Sequence, residues 1–326
     1  MTDFKDLTAA EFVERILEIE HPLLVMHENP DADTVGSSAA LAEIFSMLGR
    51  RTKYICSDEI PKRLEFLLEP LERAESLQGL SPIAVDIASR SMLGKCRDIL
   101  TGDLTPVLMI DHHEIGEPFA DCYKIPGASS VGEVMFGIAQ LLCDMGKIKF
   151  TPALASYIFA AMSSDTGAFR YSNATAATYE KASRLISLGA DHARISHLLF
   201  FSKTESKIRA EGITATKMRT AFDGKVAYSS ISNRELEREG LDRLDFDTGI
   251  DVVRSLLGVE IALFAKETEK GGNFKVSLRS TDADVSIIAA SLGGGGHVRA
   301  AGCTVAAESA DEAIGIVLEK IKEICK

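Results

Sequence analysis

The sequence predicts an α/β protein: an N-terminal doubly wound parallel-sheet domain, a helical linker and a smaller C-terminal mixed α+β domain. Three observations predict it. In the first half, short apolar runs alternate with helical stretches at spacings that need parallel crossovers. After Gly224 the signal changes to strands joined by a Gly271-Gly272-Asn273 turn. The length, 326 residues, exceeds what one core comfortably serves. Domains are expected at 1–190 and 208–326, with 191–207 as the linker.

In order, Thr8-Ala9-Ala10-Glu11 is a capping box, and Phe12, Ile16 and Ile19 follow on one helical face. Pro22 to Met26 reads as a buried strand running into the polar turn from His27 to Asp33. A helix follows from about Val35 to Leu48, stopped by Gly49. Strands are expected at Thr52–Cys56, at Pro82–Val85 and at Pro106–Ile110, with a helix over Ser91–Leu100. Ser130 caps a helix to Met145, Pro152 to Ser163 forms another, and Thr175 to Leu188 is amphipathic, stopped by Gly189. His192 to Arg219 is helical and more polar, as a connector would be. In the second domain Lys225–Ile231, Val259–Lys266 and Asn273–Ser280 are strands. Ile250–Leu257, Ile287–Leu292 and Ala310–Ile324 are helical.

Composition narrows the class. With 46% hydrophobic and 26% charged residues this is an ordinary globular chain. Its 36 basic and 48 acidic side chains leave a net charge of −12, which argues against long duplex nucleic acid. A short polyanion can still enter a site where metal ions and a few Arg invert the local field. No run approaches the ~18 apolar residues of a membrane span, and the N-terminus is not a signal peptide. Cysteines 56, 96, 122, 143, 303 and 325 form no CxxC pair and read as reduced thiols of a cytoplasmic protein.

Five constellations carry chemistry. His27-x-Asn29-Pro30-Asp31-x-Asp33 follows a strand, and such a turn can aim an imidazole and two carboxylates at one point. It also reads as a surface Asx turn at a helix start. Asp86 ends Ile83-Ala84-Val85; taken singly, it is a strand-end acid meeting water. Asp111-His112-His113 ends the strand at Ile110, where an acid and two imidazoles are costly without a task. Asp165, in Ser163-Ser164-Asp165-Thr166-Gly167, sits at a helix C-terminus that favours cations.

Joint occurrence decides between these readings, because all four acid-bearing segments converge on one sheet edge. Carboxylate and imidazole donors without thiolate suit Mn²⁺, Mg²⁺ or Co²⁺ better than structural Zn²⁺. Two cations sharing a ligand, ~3.5–4 Å apart, clamp an in-line phosphoryl transfer. The fifth constellation is Gly293-Gly294-Gly295-Gly296-His297-Val298-Arg299. Bare backbone at Gly295 and Gly296 can approach an anion, and His297 and Arg299 add donors. A flexible hinge is the other reading. Arg279 alternates off a strand and could face the same loop, although strand-surface Arg is the commoner case. Arg170 and Tyr171 border Asp165, while His21, His192 and His197 read as structural.

These motifs, in this order, resemble the DHH phosphoesterase superfamily with its DHH-associated C-terminal domain. The length and the GGGGH ending resemble its nano-RNase and pAp phosphatase branch. The resemblance implies a manganese-dependent phosphohydrolase that degrades short oligoribonucleotides to mononucleotides and dephosphorylates 3′-phosphoadenosine 5′-phosphate. It implies His27, Asp31 and Asp86 on one metal, and Asp33, Asp86, His112 and Asp165 on the other. Asp86 bridges, a hydroxide shared by the two metals attacks phosphorus in line, and the catalytic residues are Asp86, His112 and His113. His113 faces the substrate phosphate, Asp111 orients an imidazole, and Arg279, Gly295, Gly296, His297 and Arg299 bind substrate. The resemblance further implies a homodimer through the first domain.

Two departures bear on the substrate. Val298 stands where this branch often has Lys, and Ile87-Ala88-Ser89-Arg90 lacks a second acid often found after Asp86. The rival readings are a cyclic-dinucleotide or linear pApA phosphodiesterase, an inorganic pyrophosphatase and a catalytically degenerate nucleotide-binding protein. No Ser-Arg-Lys-Lys motif supports the pyrophosphatase. Intact residues at every motif count against degeneracy.

Overall fold

The computed structural model describes residues 4–324. The His297 side chain and Cys325, both named above, lie outside the described residues. The chain divides into two compact units, Met1–Ser202 and Lys203–Lys326.

Among the described residues the first unit holds six strands: β1 (Pro22–Met26), β2 (Lys53–Ile55), β3 (Glu72–Arg73), β4 (Ser81–Val85), β5 (Leu108–Asp111) and β6 (Asp121–Lys124). They form a parallel sheet in the order β3-β2-β1-β4-β5-β6. A parallel sheet needs both faces covered, and alternation along the strands divides the labour. Leu24, Met26, Ile83, Val85, Leu108 and Ile110 pack in the main core with helices α1 (Ala9–Glu18), α2 (Ala32–Met47), α3 (Val131–Asp144) and α4 (Pro152–Asp165). Leu23, Val25, Ala84 and Met109 face the other way, onto Leu93, Cys96, Leu100 and Phe119. Helices α5 (Ala176–Ser187) and α6 (His192–Ser196) complete the unit.

Small residues let helices close over the sheet. A Cβ at Gly36 of α2 would lie 3.0 Å from the Tyr157 carbonyl of α4, so this contact depends on glycine. The edge strand β6 is capped by the N-terminal segment: Leu7 N–H donates to the Cys122 carbonyl and Cys122 N–H to that of Lys5.

Several expectations need correction. Helix α2 begins at Ala32, capped by Asp31, so Asp33 is in its first turn rather than in the loop before it. Ser91–Leu100 is not an α-helix; Arg90–Asp98 is 3₁₀, broken by Gly94 at φ 53°, ψ −134°. His192–Arg219 is not continuous either. A π-turn (His197–Phe201) and an extended Ser202 separate α6 from α7 (Glu205–Thr216), whose cap is Thr204.

In the second unit β7 (Arg219–Ala221), β8 (Val226–Ile231), β9 (Ile261–Glu267), β10 (Asn273–Ser280), β11 (Gly295–His297) and β12 (Ala300–Ala306) form a mixed sheet, ordered β11-β12-β10-β9-β8-β7. Only β8 and β9 pair in parallel. Along β9, Ile261, Leu263 and Ala265 pack with α10 (Val285–Ser291) and α11 (Ala310–Ile324). Ala262 and Phe264 face the opposite layer, with α7 and α9 (Gly249–Arg254). The short α8 (Asn233–Glu239), closed by Gly240 at φ 62°, joins that layer through Leu236.

Candidate metal centre

The strand order of the first unit reverses direction between β1 and β4, and ligands in such sheets bind beyond the carboxyl ends at that point. His27 follows β1 directly. Asn29, at φ 52°, turns the chain, and Asp31 then caps α2 by accepting from the Asp33 and Thr34 N–H groups at 2.9 and 3.1 Å. Asp86 follows β4 at φ 61°, a left-handed conformation that Asp tolerates and branched residues do not. Its N–H is tied to the Ile110 carbonyl at 2.9 Å. Asp111 ends β5, with His112 and His113 next, and Asp165 ends α4.

The fold thus brings six side chains together. His27 Nε2 lies 3.7 Å from Asp31 Oδ1 and 3.6 Å from Asp86 Oδ2. His112 Nε2 lies 3.6 Å from Asp86 Oδ1, 3.8 Å from Asp33 Oδ2 and 3.4 Å from Asp165 Oδ2. These gaps exceed ordinary hydrogen bonds. They suit donors around a shared cation, whose ligands at ~2.0–2.2 Å stand roughly 3–4.4 Å from one another.

Both imidazoles are aimed from behind. His27 Nδ1 is 2.6 Å from the Glu28 carbonyl and His112 Nδ1 is 3.0 Å from that of Ala128, so each ring donates there and turns Nε2 toward the carboxylates. Asp33 is fully buried. It accepts from the Val131 and Gly132 N–H groups at the start of α3, at 2.7 and 2.9 Å, and from Ser37 Oγ at 3.0 Å. Asp86 is 3% exposed, and its Oδ1 has no hydrogen-bond partner. A buried carboxylate oxygen left without a donor is a costly arrangement that a cation resolves. The donor set, all oxygen and imidazole nitrogen, fits a hard divalent ion.

Charge points the same way. Burial, then the neighbouring Asp86 and Asp165, pushes the Asp33 carboxyl well above its ordinary range. Burial also dominates the rise of Asp165 to about 6. At His27 burial opposes a charge, but Asp31 and Asp86 outweigh it and lift the imidazole to about 11. At His112 burial is likewise overcome, by Asp165 and Asp33, and the value reaches about 10. These shifts share one cause, carboxylates packed against one another around the two imidazoles. His27–Asp31–Asp86, Asp33–His112–Asp165 and Asp86–His112–His113 form three groups of donor atoms, each group within 4.8 Å.

His113 turns Nδ1 to Asp111 Oδ1 at 2.7 Å. Beyond Asp165, Gly167, Ala168 and Phe169 are all left-handed, at φ 55°, 60° and 61°, and a Cβ at Gly167 would lie 2.3 Å from the Tyr171 ring. Arg170 Nε donates to the Gly167 carbonyl at 2.7 Å.

Arg279, Gly295, Gly296, His297 and Arg299 belong to the second unit. Arg279 is on β10, opposite Ala300 and Ala262, and Arg299 Nη1 is 3.3 Å from Asp282 Oδ1. The glycine run is not a loop throughout, since Gly295–His297 is the edge strand β11. Gly293 is left-handed at φ 74°. A Cβ at Gly294 would lie 2.2 Å from the Gly302 carbonyl, and one at Gly296 2.6 Å from that of Ala300. Packing therefore accounts for Gly294 and Gly296 and the left-handed backbone for Gly293, whereas Gly295 has open space where a Cβ would stand. The supports of the site escaped sequence reasoning: the Glu28 and Ala128 carbonyls and the α3 N–H groups. A backbone group leaves no residue-type signal. Ser130-Val131-Gly132-Glu133, readable as a helix start, was the available clue.

Two family descriptions match the chain: "DHH family, N-terminal domain" over residues 22–162 and "DHHA1 domain" over residues 223–323. A manganese-dependent inorganic pyrophosphatase of Methanocaldococcus jannaschii is 30% identical over 68% of this chain and 76% of its own. The chain belongs to the DHH family. As a DHH protein with this buried donor cluster, it is a metal-dependent phosphoesterase. A bifunctional oligoribonuclease and PAP phosphatase, NrnA, of Thermus thermophilus is 28% identical over 94% of this chain and 90% of its own. The crystal structure of an exopolyphosphatase-related protein from Bacteroides fragilis has a TM-score of 0.83 at 23% identity. It covers 97% of this DHH chain and 95% of its own, a likeness of fold. Among the described residues no helix is long and apolar enough to cross a membrane.

Proposed function

We propose that this protein is a manganese-dependent phosphohydrolase that degrades short oligoribonucleotides to mononucleotides and dephosphorylates 3′-phosphoadenosine 5′-phosphate. The observation that carries the reading is the unpartnered buried oxygen of Asp86, set between two donor groups at the carboxyl edge of the sheet. In this reading His27, Asp31 and Asp86 hold one ion, and Asp33, Asp86, His112 and Asp165 the other. Bound divalent cations in such a centre activate water and neutralise charge on a phosphoryl group.

The chain's own residues do the rest. Glu28 and Ala128 fix the tautomers of His27 and His112, and the start of α3 holds Asp33 in place. His113, held by Asp111, meets the substrate phosphate. In the second unit Arg279, Gly295, Gly296, His297 and Arg299 contact the nucleotide, and the protein works as a cytoplasmic homodimer. The choice of substrate is supported by the Thermus thermophilus oligoribonuclease and PAP phosphatase, similar along nearly its whole length.

A hydrolysis panel tests this. With Mn²⁺, pAp and two- to five-residue RNA are expected to be consumed faster than DNA of the same length, pApA, cyclic di-AMP or pyrophosphate. Preferential turnover of cyclic di-AMP or pApA would replace the proposal with a dinucleotide phosphodiesterase. Turnover of pyrophosphate alone would replace it with a pyrophosphatase.

A further inference from the structure

Asp111 is 2% exposed, and its two oxygens serve different partners. Oδ1 accepts from His113 Nδ1 at 2.7 Å and from the His113 backbone N–H at 3.3 Å. Oδ2 lies 3.6 Å from Lys124 Nζ. Lys124 is the cross-strand partner of Asp111, on β6, and its side chain is only 17% exposed. A lysine at a sheet edge can ordinarily extend its head into water. This one stays largely buried, an arrangement that is costly unless the ammonium has a partner.

A second acid competes for His113. Asp86 Oδ1, the oxygen without a donor, is 3.7 Å from the same His113 Nδ1. The His113 ring also lies against His112, with centroids 4.8 Å apart. Were Asp111 to turn away, His113 could swing to Asp86 and occupy an oxygen on which the metal centre depends. We infer that Lys124 is a positioning residue: by holding Asp111 Oδ2, it keeps Oδ1 on His113 and His113 off Asp86. The inference rests on the proposed role of His113 at the substrate.

Lys124→Met removes the charge and keeps the stem. It is expected to lower kcat on short RNA by about 10- to 100-fold, the usual effect of losing a group that orients a site residue. KM stays as in the wild type, Mn²⁺ binds more weakly because His113 now reaches Asp86, and Lys124→Arg recovers most of the rate and of the Mn²⁺ affinity. In a His113→Ala background the same change has no further effect. In the metal-free protein the downfield Nδ1–H proton signal of His113 weakens in Lys124→Met and persists in Lys124→Arg. An undiminished loss of rate in the His113→Ala background, or an unchanged Nδ1–H signal, would overturn the inference. If the wild type consumes none of the nucleotide substrates, the proposed function fails, and the proton signal still judges Lys124. Should Lys124→Met not fold, Lys124→Gln is read in the same way.

Discussion

The two units are each built on a six-stranded sheet, yet they differ in what they bury. Among the described residues, the first unit buries His27, Asp33, Asp86, Asp111 and Glu133, whereas the buried polar groups of the second are the hydroxyls of Thr214 and Ser229. Both hydroxyls donate to backbone carbonyls, so nothing is left over. The first unit leaves Asp86 Oδ1 unpaired. A sheet does not require buried carboxylates, so their concentration at one edge marks where chemistry is done. Among the described residues the second unit buries no charged side chain.

The largest effect that would sharpen this contrast is on rate. Asp86→Asn keeps a residue that tolerates φ 61° but removes the charge that stands in both the His27–Asp31–Asp86 and the Asp86–His112–His113 group. Losing an interaction of several kcal/mol at a phosphoryl-transfer centre is expected to cost on the order of 10³-fold in kcat/KM. Retained activity in a steady-state assay would break the contrast at its strongest point.

A second effect concerns the glycines. Gly294→Ala places a Cβ against the Gly302 carbonyl and is expected to destabilise the second unit by about 2–3 kcal/mol in urea unfolding. Gly295→Ala meets open space, so stability should stay near wild type while hydrolysis of short RNA falls. A stable Gly295→Ala with wild-type turnover would remove that residue from the substrate site.

The smallest effect separates buried charge used for structure from buried charge used for chemistry. Burial raises the Glu133 carboxyl, but the Lys181 ammonium at 2.6 Å and the Ser129 donors outweigh it and hold it below 4.5. A carboxyl lowered in the folded state stabilises above its unfolded pKa, and that contribution is lost as the pH falls through its folded value. Wild type should therefore lose stability more steeply than Glu133→Gln between about pH 5 and pH 3, read by thermal unfolding. Parallel curves would show that the ion pair contributes nothing.

What the sequence made legible was local. An acid at the end of an apolar run is visible without knowing the fold, so β1, β4, β5 and their terminal residues stand out. The dispositions of Asp33 and Asp111 were not visible. Asp33 is held by N–H groups 98 and 99 residues away, and Asp111 meets Lys124 across two strands. The edge strands β3, β7 and β11 are two or three residues long, too short for a periodic signal. Strand β12 opens Ala-Ala-Gly-Cys, without the branched residues that announce a strand. Gly94 divides what otherwise reads as one helix, because its backbone lies outside the helical region.

In the proposed centre the buried cluster holds divalent cations through a shared Asp86. Equilibrium dialysis of metal-free protein against Mn²⁺, with the bound metal counted per chain, tests it most directly. Two ions per chain are expected in the wild type and fewer than one tightly bound ion in Asp86→Asn. Equal occupancy in both proteins, or no Mn²⁺ bound by the wild type, would contradict it.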